Sequence, residues 1–470
     1  MCGVVGVHSP GQDAAELAAQ AIFALQHRGQ ESAGLAVSDG SDVMVYKDLG
    51  LVDRVLSERT LQSLRGQRAI AHCRYSTTGS TIWENSQPQF RLGPRRRVAV
   101  GHNGNLVNTQ DLLDQLPGGR TRLVGTTDTE LLTALLAEEE GSDLVDALLH
   151  LLPRVSGAYS LVVMDERRVI GARDPYGFRP LVLGRMAVDG GVAWCICSET
   201  CGLDALGAEY IRDVAPGELV ILADGEEPRS VQFAPGREQL CVFELIYFAR
   251  PDSYMLGRNL YEVRRRMGEA LALEAPAAAD LVMPVPDTGA PAAAGYAEAS
   301  GIPYREGMVR NRYTGRTFIQ PTNGLRQRGV TVKLSALREQ VRGRRLIVVD
   351  DSIVRGTTTR QIVGLLRRAG AAEVHLRISA PPIFHPCFYG IDTQIETELI
   401  AATRSVDEIR QFVGADSLSY LSIGGVLNAI DLPRDRFCFA CFDGQYPVPV
   451  PYDVGNRKFL LEREPLAVVR

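Results

Sequence analysis

The stretch RLIVVDDSIVRGTTT at residues 345–359 decides the fold of the second half of the chain. It begins with an unbroken apolar and mostly β-branched run, which is typical of a buried strand in a parallel sheet. Asp350 and Asp351 follow where that strand should end. The residues after them include a glycine and three threonines, and apolar residues spaced as one face of a helix come next. The stretch therefore predicts a strand, an acidic pair, a loop and a helix start.

Such a segment predicts a ligand site, because open α/β sheets bind ligands outside the carboxyl ends of their strands. Free N–H groups at a helix start favour a phosphate, and paired carboxylates favour a ribose hydroxyl or Mg²⁺. An ordinary turn that caps a helix is the structural alternative, but a cap needs one Asp and no Gly-Thr-Thr after it. The residues predicted to bind a phosphorylated sugar are Asp350, Asp351, Arg355, Gly356, Thr357 and Thr358.

This segment resembles the phosphoribosyl pyrophosphate (PRPP) loop of the type I phosphoribosyltransferases. The resemblance extends to PVPDTGAP at 284–291, where it implies that Thr288 contributes to the Mg²⁺ and PRPP site. A helix N-cap is the alternative role for this threonine. The stretch NRYTGRTFIQPT at 311–322 resembles the loop that closes over PRPP, with Tyr313 facing the chemistry. Lys333 could reach the pyrophosphate as a point charge.

Composition excludes several function classes. The chain has 470 residues, which favours two domains, and its 45% hydrophobic and 23% charged content is typical of a soluble globular protein. A net charge of −5 gives no electrostatic footprint for nucleic acid. No stretch has the length and apolarity of a membrane span or a signal peptide. We therefore expect a cytoplasmic protein without nucleic-acid or membrane partners. Its nine cysteines are expected not to form disulfides.

The two halves of the chain differ in pattern. Short strands and turn signals in the first half predict two sheets covered by helices, with the longest helix at 130–152. A βαβ rhythm in the second half predicts a doubly wound parallel sheet. A polar, turn-rich stretch at 225–238 separates them. The fold class expected is therefore mixed α+β and α/β, with domains at 2–230 and 240–445 and a C-terminal tail at 446–470.

Cys2 is the candidate nucleophile of the first half. Removal of Met1 would leave this residue with both a thiol and a free α-amino group, whose pKa near 8 makes it a usable base. A small residue before a strand is the structural alternative.

Four further motifs resemble, in order and spacing, the glutaminase domain of the class II glutamine amidotransferases. These enzymes are amino-terminal nucleophile hydrolases with an αββα sandwich fold. The motifs are HRGQES at 27–32, HCRYSTTG at 72–79, GHNGNLVN at 101–108 and TDTE at 127–130. The resemblance implies that Cys2 attacks the side-chain amide of glutamine.

The resemblance also implies a role for five other side chains or main-chain groups. The Asn103 side chain and the Gly104 N–H would stabilise the oxyanion. Arg74 would pair with the α-carboxylate of glutamine, Asp128 would accept from its α-ammonium, and Arg28 would lie over the site. A surface charge, or a tight hairpin turn at Asn103 and Gly104, is the alternative for each residue taken alone.

The remaining cysteines predict a metal centre and a core cluster. Cys438 and Cys441 form a CxxC, and four thiolates can hold a [4Fe–4S] cluster or a tetrahedral zinc. The sequences flanking these two cysteines, Cys241 and Cys387 resemble the iron–sulfur branch of the glutamine PRPP amidotransferases, which implies a structural cluster. Zinc stays open on thiolate chemistry alone. The cysteines expected to be core thiols are Cys195, Cys197 and Cys201.

The resemblance to that branch covers nearly the whole chain, including DPYGFRPL at 174–181. It implies that glutamine, PRPP and water give 5-phosphoribosylamine, glutamate and pyrophosphate, the step that opens purine synthesis. It also implies ammonia transfer from Cys2 to PRPP, homotetramers, and feedback inhibition by purine nucleotides. Members of the branch often carry a short propeptide, whereas only Met1 precedes Cys2 here.

Three alternatives have distinct signatures. An amidotransferase of the glucosamine-6-phosphate synthase type would need sugar-isomerase modules in place of the PRPP loop. A non-catalytic PRPP-sensing regulator would use the second half alone. A glutaminase with a purely structural second domain would release no pyrophosphate.

Overall fold

The protein, for which we have a computed structural model, is described over residues 1–311, 334–450 and 457–462. The chain forms two compact units. The first comprises Met1–Cys241, Cys387–Gln394 and Tyr446–Arg470, and the second comprises Val242–Pro386 and Ile395–Gln445. The first boundary lies close to the predicted one. The assignment of Cys387–Gln394 and of the tail to the first unit differs from the sequence-based division.

Within the described residues, the first unit contains two antiparallel sheets, of seven and six strands. The strands of the larger sheet, in spatial order, are Glu209–Asp213, Val182–Val188, Gly191–Cys197, Gly3–His8, Arg68–Arg74, Ser32–Ser38 and Val43–Leu49. Those of the smaller sheet are Arg229–Gln232, Glu218–Ala223, Arg168–Arg173, Gly157–Met164, Arg97–Leu106 and Gln89–Leu92.

The two sheets pack face to face with helices on their outer faces. The residues between the sheets form one apolar cluster that includes Val4, Ile70, Ala99, Val162, Ile196 and Val220. Helices Ala14–Ala24 and Thr200–Leu206 cover the larger sheet, and helices Asp128–Glu138 and Leu144–Leu151 cover the smaller one. Shorter helices are Val52–Val55, Glu58–Gln62 and Thr109–Gln115. The predicted αββα sandwich is confirmed. Cys195, Cys197 and Cys201 are buried in its core, as predicted.

The predicted single helix at 130–152 is wrong, because the chain forms two helices there. Asp128–Glu138 begins after Thr127, whose hydroxyl accepts the N–H of Glu130 at 3.1 Å. The chain then turns through Gly141, whose φ of +129° favours glycine. Asp143 caps the second helix by accepting two backbone N–H groups.

The segment 387–394 belongs to the first unit through specific contacts. The Tyr389 ring stacks on Phe178 with 4.4 Å between centroids, and its carbonyl accepts from Arg179 Nε at 2.9 Å. The Phe388 carbonyl accepts from the Asn105 amide at 2.9 Å. The segment therefore completes a layer of the first unit, although it lies almost 150 residues after Cys241.

The second unit is built on a parallel sheet, as predicted. Its strands, in spatial order, are Leu281–Pro284, Arg345–Asp350, Glu373–Ile378 and Ser417–Tyr420. Ile347 and Val348 point to opposite faces and both are fully buried, so both faces of the sheet are covered. The helices of this unit include Leu260–Glu274, Ala290–Ser300, Arg338–Val341, Thr357–Arg368, Ile400–Thr403, Val406–Val413, Ile423–Ile430 and Ala440–Asp443. A separate strand pair joins Met308–Arg310 to Leu334–Ala336.

Among the helices described, none combines the length and the apolarity that crossing a membrane requires.

Candidate active sites

Cys2 lies at the start of strand Gly3–His8, one of the inner strands of the larger sheet. Its side chain is buried, and its thiol donates to the Tyr75 carbonyl at 3.5 Å. Met1 is also buried and precedes Cys2 in the structure, so the Cys2 nitrogen is a peptide N–H. This N–H donates to Asn103 Oδ1 at 3.0 Å. Once Met1 is removed, the same nitrogen becomes an amine held against Asn103.

Burial raises the pKa of the Cys2 thiol, and the neighbouring positive charges offset this only partly. Attack by a neutral thiol requires a base within reach, and the Cys2 nitrogen could serve as one only after Met1 is removed.

Asn103 is fully buried on strand Arg97–Leu106, and only one end of its amide is used. Its Oδ1 accepts from Cys2, whereas Nδ2 has no hydrogen-bond partner among the described residues. Leaving a buried donor unpaired costs about 1–3 kcal/mol, so this nitrogen gains free energy when a ligand oxygen accepts from it. This nitrogen is a preformed donor for a negatively charged oxygen beside Cys2.

Gly104 has a backbone that only glycine fits. Its φ is +156°, and a Cβ at this position would lie 1.9 Å from the Ala158 carbonyl oxygen. The backbone of Gly104 can therefore approach a ligand closely, next to the unpaired Asn103 donor. Asn103 thus contacts the Cys2 nitrogen, and Gly104 lines the same pocket as Cys2.

A small pocket opens onto Cys2 and contains the predicted glutamine-binding residues. Arg74 and Asp128 both line it, and both are almost fully buried. The other residues that line it are Tyr75, Thr77, Thr78, Gln87, His102, Gly104, Thr127 and Thr129. One cation and one anion in a single pocket match the two charged ends of an amino acid.

Hydrogen bonds hold the two charged residues in place. Arg74 donates to the carbonyl groups of Thr78, Gly79 and Ser80 at 2.9, 3.3 and 3.2 Å. Asp128 Oδ2 accepts the Leu106 N–H at 3.1 Å. The charges are thus fixed by main-chain partners before any substrate is bound.

Arg28 contacts the main chain of Cys2. It is fully buried, and its Nε donates to the Cys2 carbonyl at 2.9 Å. Glu199, also fully buried, forms an ion pair with the Arg28 guanidinium. The sequence motif identified Arg28 but carried no signal for its partner, which lies 171 residues later.

The tail also contributes to this site, which the sequence did not indicate. Glu462 Oε1 accepts from the Ser80 N–H at 2.9 Å, the Ser80 hydroxyl at 2.6 Å and the Thr126 hydroxyl at 3.0 Å. The Lys458 carbonyl accepts the Gly79 N–H at 2.7 Å. The tail therefore holds the loop whose carbonyl groups hold Arg74.

The second unit carries the acidic pair at the carboxyl end of strand Arg345–Asp350. Burial and the neighbouring Asp351 charge raise the pKa of Asp350 well above its usual value, and burial likewise raises the pKa of Asp351. Asp351 accepts hydrogen bonds from the hydroxyls of Thr288 and Ser352. A bound cation would relieve the repulsion between the two carboxylates.

The helix after the acidic pair begins without a side-chain cap. Gly356, with φ of +73°, precedes helix Thr357–Arg368, and the side chains of Thr357 and Thr358 are exposed. Its first N–H groups are therefore available to an anion. Arg355 pairs with Glu398, with 2.9 Å between Nε and Oε2. Tyr313 and Lys333 lie outside the described residues.

The residue types present suit two different metal groups. Oxygen atoms of Asp350, Asp351 and Thr288 suit Mg²⁺, which usually keeps several waters and binds substrate phosphates. Cys241, Cys387, Cys438 and Cys441 are not in disulfides, which leaves four thiols for a cluster or zinc. No group of three or more His, Cys, Asp and Glu placed to hold a metal is found in the described part of the chain.

Comparison with known proteins gives one family match over part of the chain and several relatives that match nearly all of it. A family described as a glutamine amidotransferase domain matches residues 72–205. The amidophosphoribosyltransferase of Synechococcus elongatus is 51% identical over 467 residues, which cover 98% of this chain and 94% of the relative. That of Mycobacterium tuberculosis is 50% identical over 98% of this chain and 89% of its own length. That of Archaeoglobus fulgidus is 47% identical over 96% of this chain and 99% of its own.

Two solved structures match the chain in both sequence and fold. One is described as the allosteric regulatory enzyme of purine biosynthesis, with a TM-score of 0.90, 44% identity and coverage of 98% of this chain and 99% of that one. The other is the glutamine PRPP amidotransferase of B. subtilis in complex with ADP and GMP. It has a TM-score of 0.87, 45% identity and coverage of 96% and 98%.

Proposed function

The chain belongs to the amidophosphoribosyltransferase family, and we propose that it converts glutamine, PRPP and water into 5-phosphoribosylamine, glutamate and pyrophosphate, the first step of purine synthesis. The single observation that carries the first half of this reaction is the unpaired amide nitrogen of Asn103 beside the buried thiol of Cys2.

The glutaminase step follows from that geometry. After Met1 is removed, the α-amino group of Cys2 takes the thiol proton and the sulfur attacks the amide carbon of glutamine. Asn103 Nδ2 and the Gly104 N–H stabilise the oxyanion. The proton then passes to the departing nitrogen, which leaves as ammonia, and water hydrolyses the glutamyl thioester to glutamate and free thiol. Arg74 and Asp128 orient the substrate through its charged end.

The second step uses the residues of the second unit. Asp350 and Asp351 hold the ribose side of PRPP, and the uncapped start of helix Thr357–Arg368 receives its 5′-phosphate. Ammonia displaces pyrophosphate at C1 of the ribose. Mg²⁺, when bound by Asp350, Asp351 and Thr288, supplies positive charge that offsets the charge of the leaving pyrophosphate.

We further propose that ammonia passes from the Cys2 site to PRPP without entering bulk water, where it would be protonated and lost.

Purine nucleotides are the proposed feedback inhibitors, because the B. subtilis relative was solved with ADP and GMP. A homotetramer and a cytoplasmic location complete the proposal. None of the nine cysteines is in a disulfide, which fits a reducing compartment.

A structural [4Fe–4S] cluster on Cys241, Cys387, Cys438 and Cys441 is proposed from the donor set. Protein purified without oxygen should absorb near 400 nm and contain iron, and Cys438→Ser should lose both. Cys195→Ala, which removes a core thiol, is the control and should keep both. Protein with bound zinc and no iron would support the alternative metal, and protein with neither metal would reject the centre.

Pyrophosphate release tests the whole reaction. With PRPP, Mg²⁺ and glutamine together, the protein should release pyrophosphate and glutamate in equal amounts. Glutamine hydrolysis without PRPP-dependent pyrophosphate release would favour a glutaminase with a structural second domain. PRPP binding without either product would favour a regulator.

A further inference from the structure

The buried ion pair behind Cys2 has no part in the reaction as proposed so far. Glu199 and Arg28 are both fully buried. Glu199 Oε1 contacts the Arg28 guanidinium and lies 2.7 Å from His27 Nε2. Burying two charges is costly, so a pair in this position needs a reason beyond stability.

Arg28 connects this pair to the nucleophile. Its Nε donates to the carbonyl oxygen of Cys2 at 2.9 Å. That carbonyl shares its Cα with both the α-amino group and the thiol-bearing side chain. A rotation of the carbonyl therefore moves both reactive groups of Cys2 relative to Asn103.

The residue before Glu199 anchors the same strand. The Ser198 hydroxyl accepts the Val4 N–H at 2.9 Å, and the Ser198 N–H donates to the Val4 carbonyl at 3.0 Å. Two consecutive residues thus hold the chain on the C-terminal side of Cys2, one through the main chain and one through Arg28. Asn103 holds it on the other side, at the Cys2 nitrogen.

We propose that Glu199 is a positioning residue for the Cys2 nucleophile, acting through Arg28. The carboxylate fixes the guanidinium, and the guanidinium fixes the Cys2 carbonyl. The sulfur is thereby aimed at the position where the substrate amide meets the Asn103 donor. This inference rests on the proposed glutaminase function. A misplacement of about 1 Å at a reacting group can cost on the order of 100-fold in rate.

Glu199→Gln is the direct test, because it keeps the size of the side chain and removes its charge. The kcat of glutamine hydrolysis should fall by about 10- to 100-fold, while KM for glutamine changes by less than about threefold, since Arg74 and Asp128 are untouched. Labelling of Cys2 by the electrophilic glutamine analogue 6-diazo-5-oxo-L-norleucine should slow by a similar factor. Pyrophosphate release with added ammonia should stay at the wild-type rate, which shows that the protein is folded.

Two further variants keep the test decisive. His27→Gln removes a second side-chain partner of Glu199, and should lower kcat by less than about threefold because the Arg28 contact with Cys2 remains. If Glu199→Gln does not fold, Glu199→Asp replaces it, because it keeps the charge and shortens the reach to Arg28. It should reduce kcat at unchanged Tm. A wild-type kcat and labelling rate in a folded Glu199 variant, or a loss that lies only in KM, would overturn the inference. Absence of glutamine hydrolysis in the wild-type protein would instead reject the proposed function.

Discussion

The two candidate sites differ in how far they are built before a ligand arrives. In the Cys2 pocket, Arg74, Asp128 and Asn103 are buried and held by main-chain or side-chain partners. In the acidic-pair site, the first two threonines of the helix are exposed and no side chain caps the helix. The first arrangement suits chemistry on a neutral amide, which needs fixed dipoles. The arrangement in the acidic-pair site suits a charged ligand that accepts hydrogen bonds from the uncapped N–H groups at the helix start.

Cys2→Ala should have the largest effect, and it tests whether the two sites act separately. Glutamine-dependent pyrophosphate release should fall on the order of 10⁴-fold or more, because no other group replaces the thiol. Ammonia-dependent release should stay within about threefold of wild type, since the acidic-pair site needs no thiol. Cys73→Ala, which removes a buried neighbouring thiol, is the matched control and should retain both activities. Equal loss of both activities would show that the two sites are not separable.

Asn103→Asp tests whether the unpaired donor is the reactive one. The substitution keeps the Oδ1 acceptor for Cys2 and replaces Nδ2 by an oxygen. The glutaminase kcat should fall about 10²- to 10³-fold, as for loss of one oxyanion donor. Asn108→Asp, five residues along the same motif, should lower it by less than about threefold. If Asn103→Asp retained the wild-type kcat, the Asn103 amide would not be an oxyanion donor.

Asp350→Asn tests the claim that the acidic pair needs a bound cation to offset the repulsion between its carboxylates. We expect PRPP-dependent activity to fall about 10- to 100-fold, as for loss of a ligand to a metal. The free protein should nevertheless become more stable. A carboxyl whose pKa is raised by folding binds more protons in the folded state, so stability is lost as the pH rises above the unfolded value near 3.9.

Thermal unfolding measures the expected gain in stability of the free protein. At pH 7 and without Mg²⁺, Asp350→Asn should raise Tm by about 2–4 °C, and the difference should disappear near pH 3, where both proteins are neutral at this position. Asp287→Asn, at an exposed carboxylate paired with Arg310, should leave Tm unchanged. A lower Tm for Asp350→Asn at pH 7 would show that the acidic pair stabilises the free fold.

The smallest expected effect concerns the tail. Glu462→Gln weakens the hydrogen bonds to Ser80 and Thr126, so KM for glutamine should rise about three- to tenfold with kcat nearly unchanged. Leu460→Ala, at an exposed side chain of the same segment, should have no effect. A change in kcat alone would mean that the tail acts on the nucleophile and not on the Arg74 loop.

Local pattern predicted much of this molecule. The apolar run before Asp350 indicated a buried parallel strand. Strand burial acts within a few residues, so this signal could be read directly. The grouping of Cys2, Arg74 and Asp128 in one pocket was implied by the resemblance that their motifs carry.

Contacts between distant segments were not predictable. The motif that contains Arg28 gave no sign of its buried partner Glu199, which lies far along the chain. The contacts of the tail and of segment 387–394 with the first unit likewise join residues far apart in the sequence. The break of the helix after Asp128–Glu138 had a signal in Gly141 and Asp143, which apolar periodicity on both sides concealed.

Isotope transfer tests most directly that one chain couples the two sites. Glutamine labelled with ¹⁵N at its amide would be supplied with PRPP and Mg²⁺ in the presence of excess unlabelled ammonium, and the ¹⁵N content of the product amine measured. We predict that most of the product carries ¹⁵N, and that Cys2→Ala makes only unlabelled product. Product whose label matches the bulk ammonium pool in the wild-type protein would contradict direct transfer between the two sites.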